Sequence, residues 1–222
     1  MGMQSSKDVA LKALKVHAVG IMADMYSQGY ITSMDGNACF KFDERFFVTP
    51  TSIPKQHMST DMIVEVDGLG EVIESPSGLK PSIETPAHLS ALFCSSKAFS
   101  IHVHSPKTVA LFSAVNNNYP HLVERLERKM MTEWPELHRY TKLGKTIPFQ
   151  TPGSVALHQS VEDSFLPESS LNPPDISVMI RHGVFAVGDS FFECQSHIER
   201  LEHISGVILE MMKVTSIESV LI

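Results

Sequence analysis

The hydrophobic positions of the chain first recur at helical spacing. Between Lys7 and Gln28, residues Val9, Leu11, Leu14, Val16, Val19, Ile21, Met22 and Met25 follow a period near 3.6. This predicts a helix that Ser5 or Ser6 caps and Gly29 stops. The period then shortens to two. Ala38-Cys39-Phe40-Lys41-Phe42 reads as a strand, and Phe46-Phe47-Val48 as its hairpin partner across Asp43-Glu44-Arg45. Asp61–Val66 reads as a third strand closed by the Asp67-Gly68 turn, and Glu71–Glu74 as a fourth. Pro86–Ser95 has a helical pattern with Thr85 as cap and Pro86 at the first helical position.

Farther on, Phe99–His104 reads as a strand, Pro106–Ala114 and Leu122–Met131 as helices, and Ile147-Pro148-Phe149 as a short strand. Asp175–Ile180 and Val184–Val187 are apolar strands interrupted by Arg181-His182-Gly183. A long helix over Ser190–Val214 carries Phe191, Cys194, Ile198, Leu201, Ile204, Ile208 and Met211 on one face. Hairpins followed by strands interleaved with helices point to a mixed sheet with helices on its faces. Pro167–Pro174 is too short for a domain linker, so one α/β domain is expected over residues 7–222, with residues 1–6 disordered.

Composition narrows the class. A chain of 222 residues with 43% apolar and 19% charged positions is globular and long enough for a core without staples. The net charge of −7 excludes a basic nucleic-acid footprint. No apolar run approaches the length of a membrane span, and none near the N-terminus suits a secretory signal. Cys39, Cys94 and Cys194 are odd in number and widely spread, which argues against a disulfide framework and fits a reducing compartment. A cytoplasmic protein is expected.

Chemistry concentrates around Ile101-His102-Val103-His104. Residues two apart on a strand share a face, about 6–7 Å apart. Two such imidazoles can converge on one ion at about 2.0–2.1 Å. The alternative is two surface histidines on an edge strand, against which stand the apolar neighbours Phe99 and Ile101. His182 is the candidate third ligand, because it sits at a strand end where Gly183 permits a sharp turn. Among the 11 histidines, His17, His121, His197 and His203 fall on or beside charged helices and read as solvated or satisfied. His57 and His158 fall in polar loops. Glu84 lies just before a helix, so it is either a plain N-terminal acid or a general base beside the metal. His88 shares its helical face and could orient it. Ser33–Asn37, with Gly36 and Asn37, and Thr49–Ser52, with Thr51 and Ser52, are turn-rich and could cradle an anion or simply turn the chain.

Six segments in order resemble the class II aldolase/adducin family. Gly36-Asn37 is similar to its phosphate loop, and Val48-Thr49-Pro50-Thr51-Ser52-Ile53-Pro54 to its Thr-Pro turn. Asp61–Val64 with Asp67-Gly68 resembles its next strand and turn. Pro81-Ser82-Ile83-Glu84-Thr85-Pro86-Ala87-His88 resembles its acid-bearing segment. His102-Val103-His104-Ser105-Pro106 and Arg181-His182-Gly183 resemble its histidine motifs. The resemblance covers Val9 to Met212.

The resemblance implies a three-layer α/β/α domain with a mostly antiparallel central sheet. It implies zinc or another divalent metal on His102, His104 and His182, with Glu84 as the proton-moving group. Gly36, Asn37, Thr51, Ser52 and Ser82 would bind a sugar phosphate, and the family's habit implies a homotetramer without nucleic acid or membrane partners. The implied activity is a lyase cleaving a carbon–carbon bond of a ketose phosphate or related hydroxyketone. The same site could serve a 4-epimerase or a dehydratase, and adducin-like members are non-catalytic binding modules. Three departures stand out. Ile83 replaces a second phosphate-binding serine, Ser52 replaces a glycine, and Asp35 puts negative charge beside the phosphate loop. The C-terminal tyrosine of several members is missing, which leaves Tyr140 and His138 either as its substitutes or as plain surface residues.

Overall fold

A computed structural model describes residues 2–166, 173–216 and 219. Seven strands form one sheet: β1 (Asn37–Phe42), β2 (Arg45–Val48), β3 (Val64–Val66), β4 (Val72–Glu74), β5 (Phe99–Val103), β6 (Ile176–Met179) and β7 (Gly183–Gly188). Their order is β4-β3-β2-β1-β5-β7-β6, and every neighbouring pair is antiparallel. The helices are α1 (Gly2–Ser27), α2 (Thr85–Ser95), α3 (Pro106–Asn118), α4 (Val123–Glu133), α5 (Pro135–Tyr140), α6 (Val155–Phe165) and α7 (Phe191–Met211).

Strand periodicity sorts the side chains into two cores. Ala38, Phe40, Ile101, Val103, Val184 and Ala186 pack toward α1, α3, α4 and α7. Their neighbours Cys39, Phe185 and Val187 pack with α2 and α6 on the opposite face. Burial on both faces accounts for the near-continuous apolar runs in the sequence. The result is the expected three-layer α/β/α arrangement with an antiparallel sheet.

Several boundaries differ from the sequence expectation. The first helix begins at Gly2 rather than Lys7, so of residues 1–6 only Met1 lies outside the described residues. Val9 and Val16 are exposed, and Ala18, Ile21, Met22 and Met25 carry the packing. The expected third strand is a 3-10 turn at Thr60–Met62 followed by the short β3. Ile147–Phe149 forms no strand. Ile147 makes an isolated parallel bridge to Met179, and Pro148 has no N–H with which to extend it. Helices α5 and α6 form where the hydrophobic pattern predicts no element. Of the expected Pro167–Pro174 loop, residues 167–172 lie outside the described residues.

Candidate metal and acid–base site

The register of three central strands builds the floor of the site. Asn37 on β1, His102 on β5 and Phe185 on β7 stand side by side. Ser100, two residues before His102, shares their face, which is the face covered by α2. Glu84 sits at the N-cap position of α2, and His88 lies in its first turn. The His102 ring stacks on Phe185 with centroids 4.7 Å apart.

His104 lies one residue beyond β5. Its N–H and that of Ser105 both donate to the Tyr30 carbonyl, at 3.1 and 3.0 Å. Ser105 has φ 34°, and Pro106 then opens α3. The carboxylate of Glu202 on α7 accepts from Lys107 N, Thr108 N and Thr108 Oγ1, each at 2.9 Å. That buried acid caps α3 and fixes the turn that follows His104.

His182 occupies the β6–β7 turn. The left-handed residue of this turn is Arg181, with φ 58°, not Gly183. The sequence reading of Gly183 as the residue that turns the chain is therefore corrected. Glycine is needed there because a Cβ would lie 2.3 Å from the Val103 carbonyl oxygen and 2.8 Å from His102 Cε1. This close approach of β7 to β5 brings the third imidazole to the first two. One ligand-type atom from each of His102, His104 and His182 lies within 4.8 Å of the others.

Proton assignments follow from the hydrogen bonds. His102 Nδ1–H donates to the Val184 carbonyl at 2.9 Å, which leaves an acceptor lone pair on Nε2. That Nε2 is buried without a hydrogen-bond partner and lies 3.3 Å from Glu84 Oε2. Glu84 Oε1 is likewise buried and unbonded, 3.3 Å from His182 Nε2. Burial above all holds His102 down to about 3 from the ordinary 6.5, and His104 adds to the effect. His182 is held down to about 4, by burial first and then by His102. The His102 lone pair thus faces a Glu84 carboxyl oxygen with no hydrogen bond between them, and the neutral His182 ring lies against the other oxygen. A cation satisfies such a donor set, and a divalent ion fits it.

A relay behind Glu84 fixes its orientation. Ser100 O–H donates to His88 Nδ1 at 2.6 Å, and His88 Nε2–H donates to Asn37 Oδ1 at 2.6 Å. Asn37 Nδ2–H then donates to Glu84 Oε2 at 2.8 Å. Burial holds His88 down to about 3, so one ring nitrogen stays an acceptor, as the relay requires. His88 therefore orients the carboxylate through Asn37. The amide of Asn37 is engaged at both ends, a bond pattern that the sequence reading of a free anion-binding amide missed. Ser100 was detectable only as the residue two before His102.

The remaining candidates spread around this centre. Gly36 has φ 72°, and a Cβ there would come within 2.8 Å of Ile31 and 3.1 Å of the His102 carbonyl. Ser82 is buried, and its Oγ accepts from Glu84 N at 3.2 Å. Thr51 N–H donates to the Lys80 carbonyl, and the exposed Ser52 has φ 59°. The positive φ at Ser52 explains why glycine suits that turn. Tyr140 stacks with Arg139 and Arg200, and these contacts do not join it to Glu84 or the histidines. His138 Nδ1–H donates to the Met131 carbonyl at 3.1 Å, within its own region. His197, expected to be solvated or satisfied, is buried against Thr141. Among the described residues no helix is long and apolar enough to cross a membrane.

Comparison with known proteins bears on the fold and the family. The profile of the Class II Aldolase and Adducin N-terminal domain matches residues 17–209. A methylthioribulose-1-phosphate dehydratase of Sclerotinia sclerotiorum is 25% identical over 89% of this chain and 84% of its own. The YgbL protein of Klebsiella pneumoniae, described as a putative aldolase/epimerase/decarboxylase, superposes with TM-score 0.76 at 24% identity, covering 90% of each chain. A sugar-phosphate aldolase of Thermotoga maritima gives TM-score 0.75 at 18% identity, covering 92% of this chain and 97% of that one. With the matched region spanning most of its length, the chain belongs to the class II aldolase and adducin family.

Proposed function

We propose that this protein is a divalent-metal-dependent lyase, with zinc as the ion, acting on a ketose phosphate or related hydroxyketone by retro-aldol cleavage. The observation that carries the reading is the convergence of His102, His104 and His182 beside the unbonded Oε1 of Glu84. A divalent ion held by the three imidazoles would supply Lewis-acid polarisation of the substrate carbonyl. Three neutral ligands leave its charge undiminished.

Glu84 moves the proton. Its Oε2 is held by Asn37, and its Oε1 is free of hydrogen bonds. In cleavage, Glu84 takes the proton of the carbinol hydroxyl as the bond between the carbonyl-bearing fragment and the carbinol carbon breaks; the carbinol carbon leaves as an aldehyde, and the electron pair of the broken bond passes toward the carbonyl. Glu84 then returns a proton to the carbon beside that carbonyl. The buried floor of His102, Phe185 and His88 excludes water from this side, while half-exposed His104 marks the open one. The reading assigns no step to Tyr140. Gly36, Asn37, Thr51, Ser52 and Ser82 line the loops proposed to receive the substrate, with Asn37 and Ser82 acting through Glu84.

A second reading is dehydration, favoured by the similarity of the chain to proteins named methylthioribulose-1-phosphate dehydratases. Glu84 would then take the proton from the carbon beside the carbonyl, and hydroxide would leave from the next carbon. The experiment is a panel of phosphorylated and unphosphorylated ketoses offered to metal-loaded protein. Release of an aldehyde fragment supports cleavage, and formation of a dicarbonyl with loss of water supports dehydration. Absence of turnover together with absence of stoichiometric divalent metal would reject both.

A further inference from the structure

The sequence placed Asp35 as a departure, a negative charge beside a loop that resembles a phosphate site. Its position gives it a different task. Asp35 Oδ2 lies 3.6 Å from His104 Nδ1, and the two side chains are comparably half-exposed at 37% and 36%. His102 shows what a ligand of this site needs. Its Nδ1–H is bonded to a backbone carbonyl, so its Nε2 is turned to the centre. His104, one residue past the end of β5, has Asp35 against that same edge of its ring.

Asp35 is held in place from several sides. Thr32 O–H donates to Asp35 Oδ2 in a short hydrogen bond. Asp35 N–H donates to the Thr32 carbonyl at 3.3 Å. Gly36, next in the chain, is in the left-handed region and packed so closely that no Cβ fits. Beneath the loop, Lys55 is 1% exposed, and its ammonium donates to the carbonyls of Ile53 at 3.2 Å and Met34 at 3.5 Å. Lys55 N–H also donates to the Ser33 carbonyl at 2.8 Å. Lys55 thereby holds the Ser33 and Met34 carbonyls of the loop, so Asp35 stands on a buttressed turn rather than on a loose surface segment.

We propose that Asp35 is a positioning residue of the metal site: its carboxylate receives the Nδ1–H of His104 and turns Nε2 to the ion. The inference rests on the proposed metal site. The separation is about 0.8 Å longer than a charge-assisted hydrogen bond, and a turn of the half-exposed His104 ring toward the fixed carboxylate would close it. A carboxylate on the far edge of a ligand imidazole fixes its tautomer and raises its basicity, and losing such a partner costs about 10–100-fold in metal affinity.

The test compares wild type, Asp35→Asn and Asp35→Ala in zinc titrations against a chromophoric chelator, at low and high salt. Asp35→Asn preserves shape, so its metal-free melting temperature should match wild type. The expected result is a zinc affinity lower by about 10–100-fold that persists at high salt, where a general field effect would be screened. Nitrogen-15 spectra of the zinc-loaded wild type should show His104 bound through Nε2, with a hydrogen-bonded Nδ1 proton that Asp35→Asn loses. An affinity within about twofold of wild type, a loss abolished by salt, or His104 bound through Nδ1 would overturn the proposal. Wild type that binds zinc while Asp35→Asn binds it equally well rejects only this role. Wild type that binds no zinc rejects the metal site and this role together.

Discussion

Replacing Glu84 with Gln should move activity and stability in opposite directions. In the metal-free protein Glu84 is 5% exposed, and its Oε1 has no hydrogen-bond partner. Oε2 accepts from Asn37 while facing the lone pair of His102 Nε2 at 3.3 Å. Gln keeps the bond from Asn37 through its carbonyl oxygen and turns its amide N–H toward His182 Nε2. An unsatisfied buried acceptor costs about 1–3 kcal/mol, and Glu84→Gln removes it. The metal-free variant should therefore melt higher, by about 2–4 °C for each kcal/mol in a chain of this size. Turnover should fall by about 10²–10⁴-fold, equivalent to roughly 2.7–5.5 kcal/mol on the barrier, because an amide cannot carry the proton. The zinc content should stay near one ion per chain. Differential scanning calorimetry of the metal-free protein and steady-state rates of the loaded one give the two readings. Turnover within about threefold of wild type would refute the acid–base role. A lower melting temperature would refute the account of an unsatisfied carboxylate.

Gly183→Ala should lower stability by about 1–3 kcal/mol, because its Cβ must push aside the Val103 carbonyl and the His102 ring; chemical denaturation and zinc titration should both register the loss. Ser52→Gly should stabilise by about 1 kcal/mol, since Ser52 stands at φ 59° where glycine carries no Cβ penalty; urea midpoints measure it. Acid should destabilise the metal-free protein. His88, His102 and His182 have folded pKa values near 3, 3 and 4, below the ordinary 6.5, so the unfolded chain takes up protons first as pH falls. Stability is therefore full above about pH 6.5 and declines below it, by up to about 1.4 kcal/mol per pH unit for each group, in urea titrations across that range.

The parts of the fold most legible in the sequence were those with a repeating burial pattern. Strands β1, β2, β5 and β7 alternate between two apolar layers, so their runs stand out against polar turns. Helix α6 carried a readable stripe at Leu157, Val161 and Phe165, with Ser154 accepting from Leu157 N–H as its cap. The polar residues between them masked it. Helix α5 has six residues, too few to establish a period. At the site, the three histidines and Glu84 were legible because strand period and local motif mark them. The Ser100–His88–Asn37–Glu84 relay was less so, since Asn37 and His102 become neighbours only through sheet register. The His104–Asp35 contact joins a strand end to a separate loop, which sequence spacing does not encode.

The most direct test is crystallographic. Crystals of the zinc-loaded protein, measured on both sides of the zinc absorption edge, should give one anomalous peak per chain. The peak should lie about 2.0–2.1 Å from a ring nitrogen of each of His102, His104 and His182. A featureless anomalous map at that position, or a peak bound by other residues, would contradict the account.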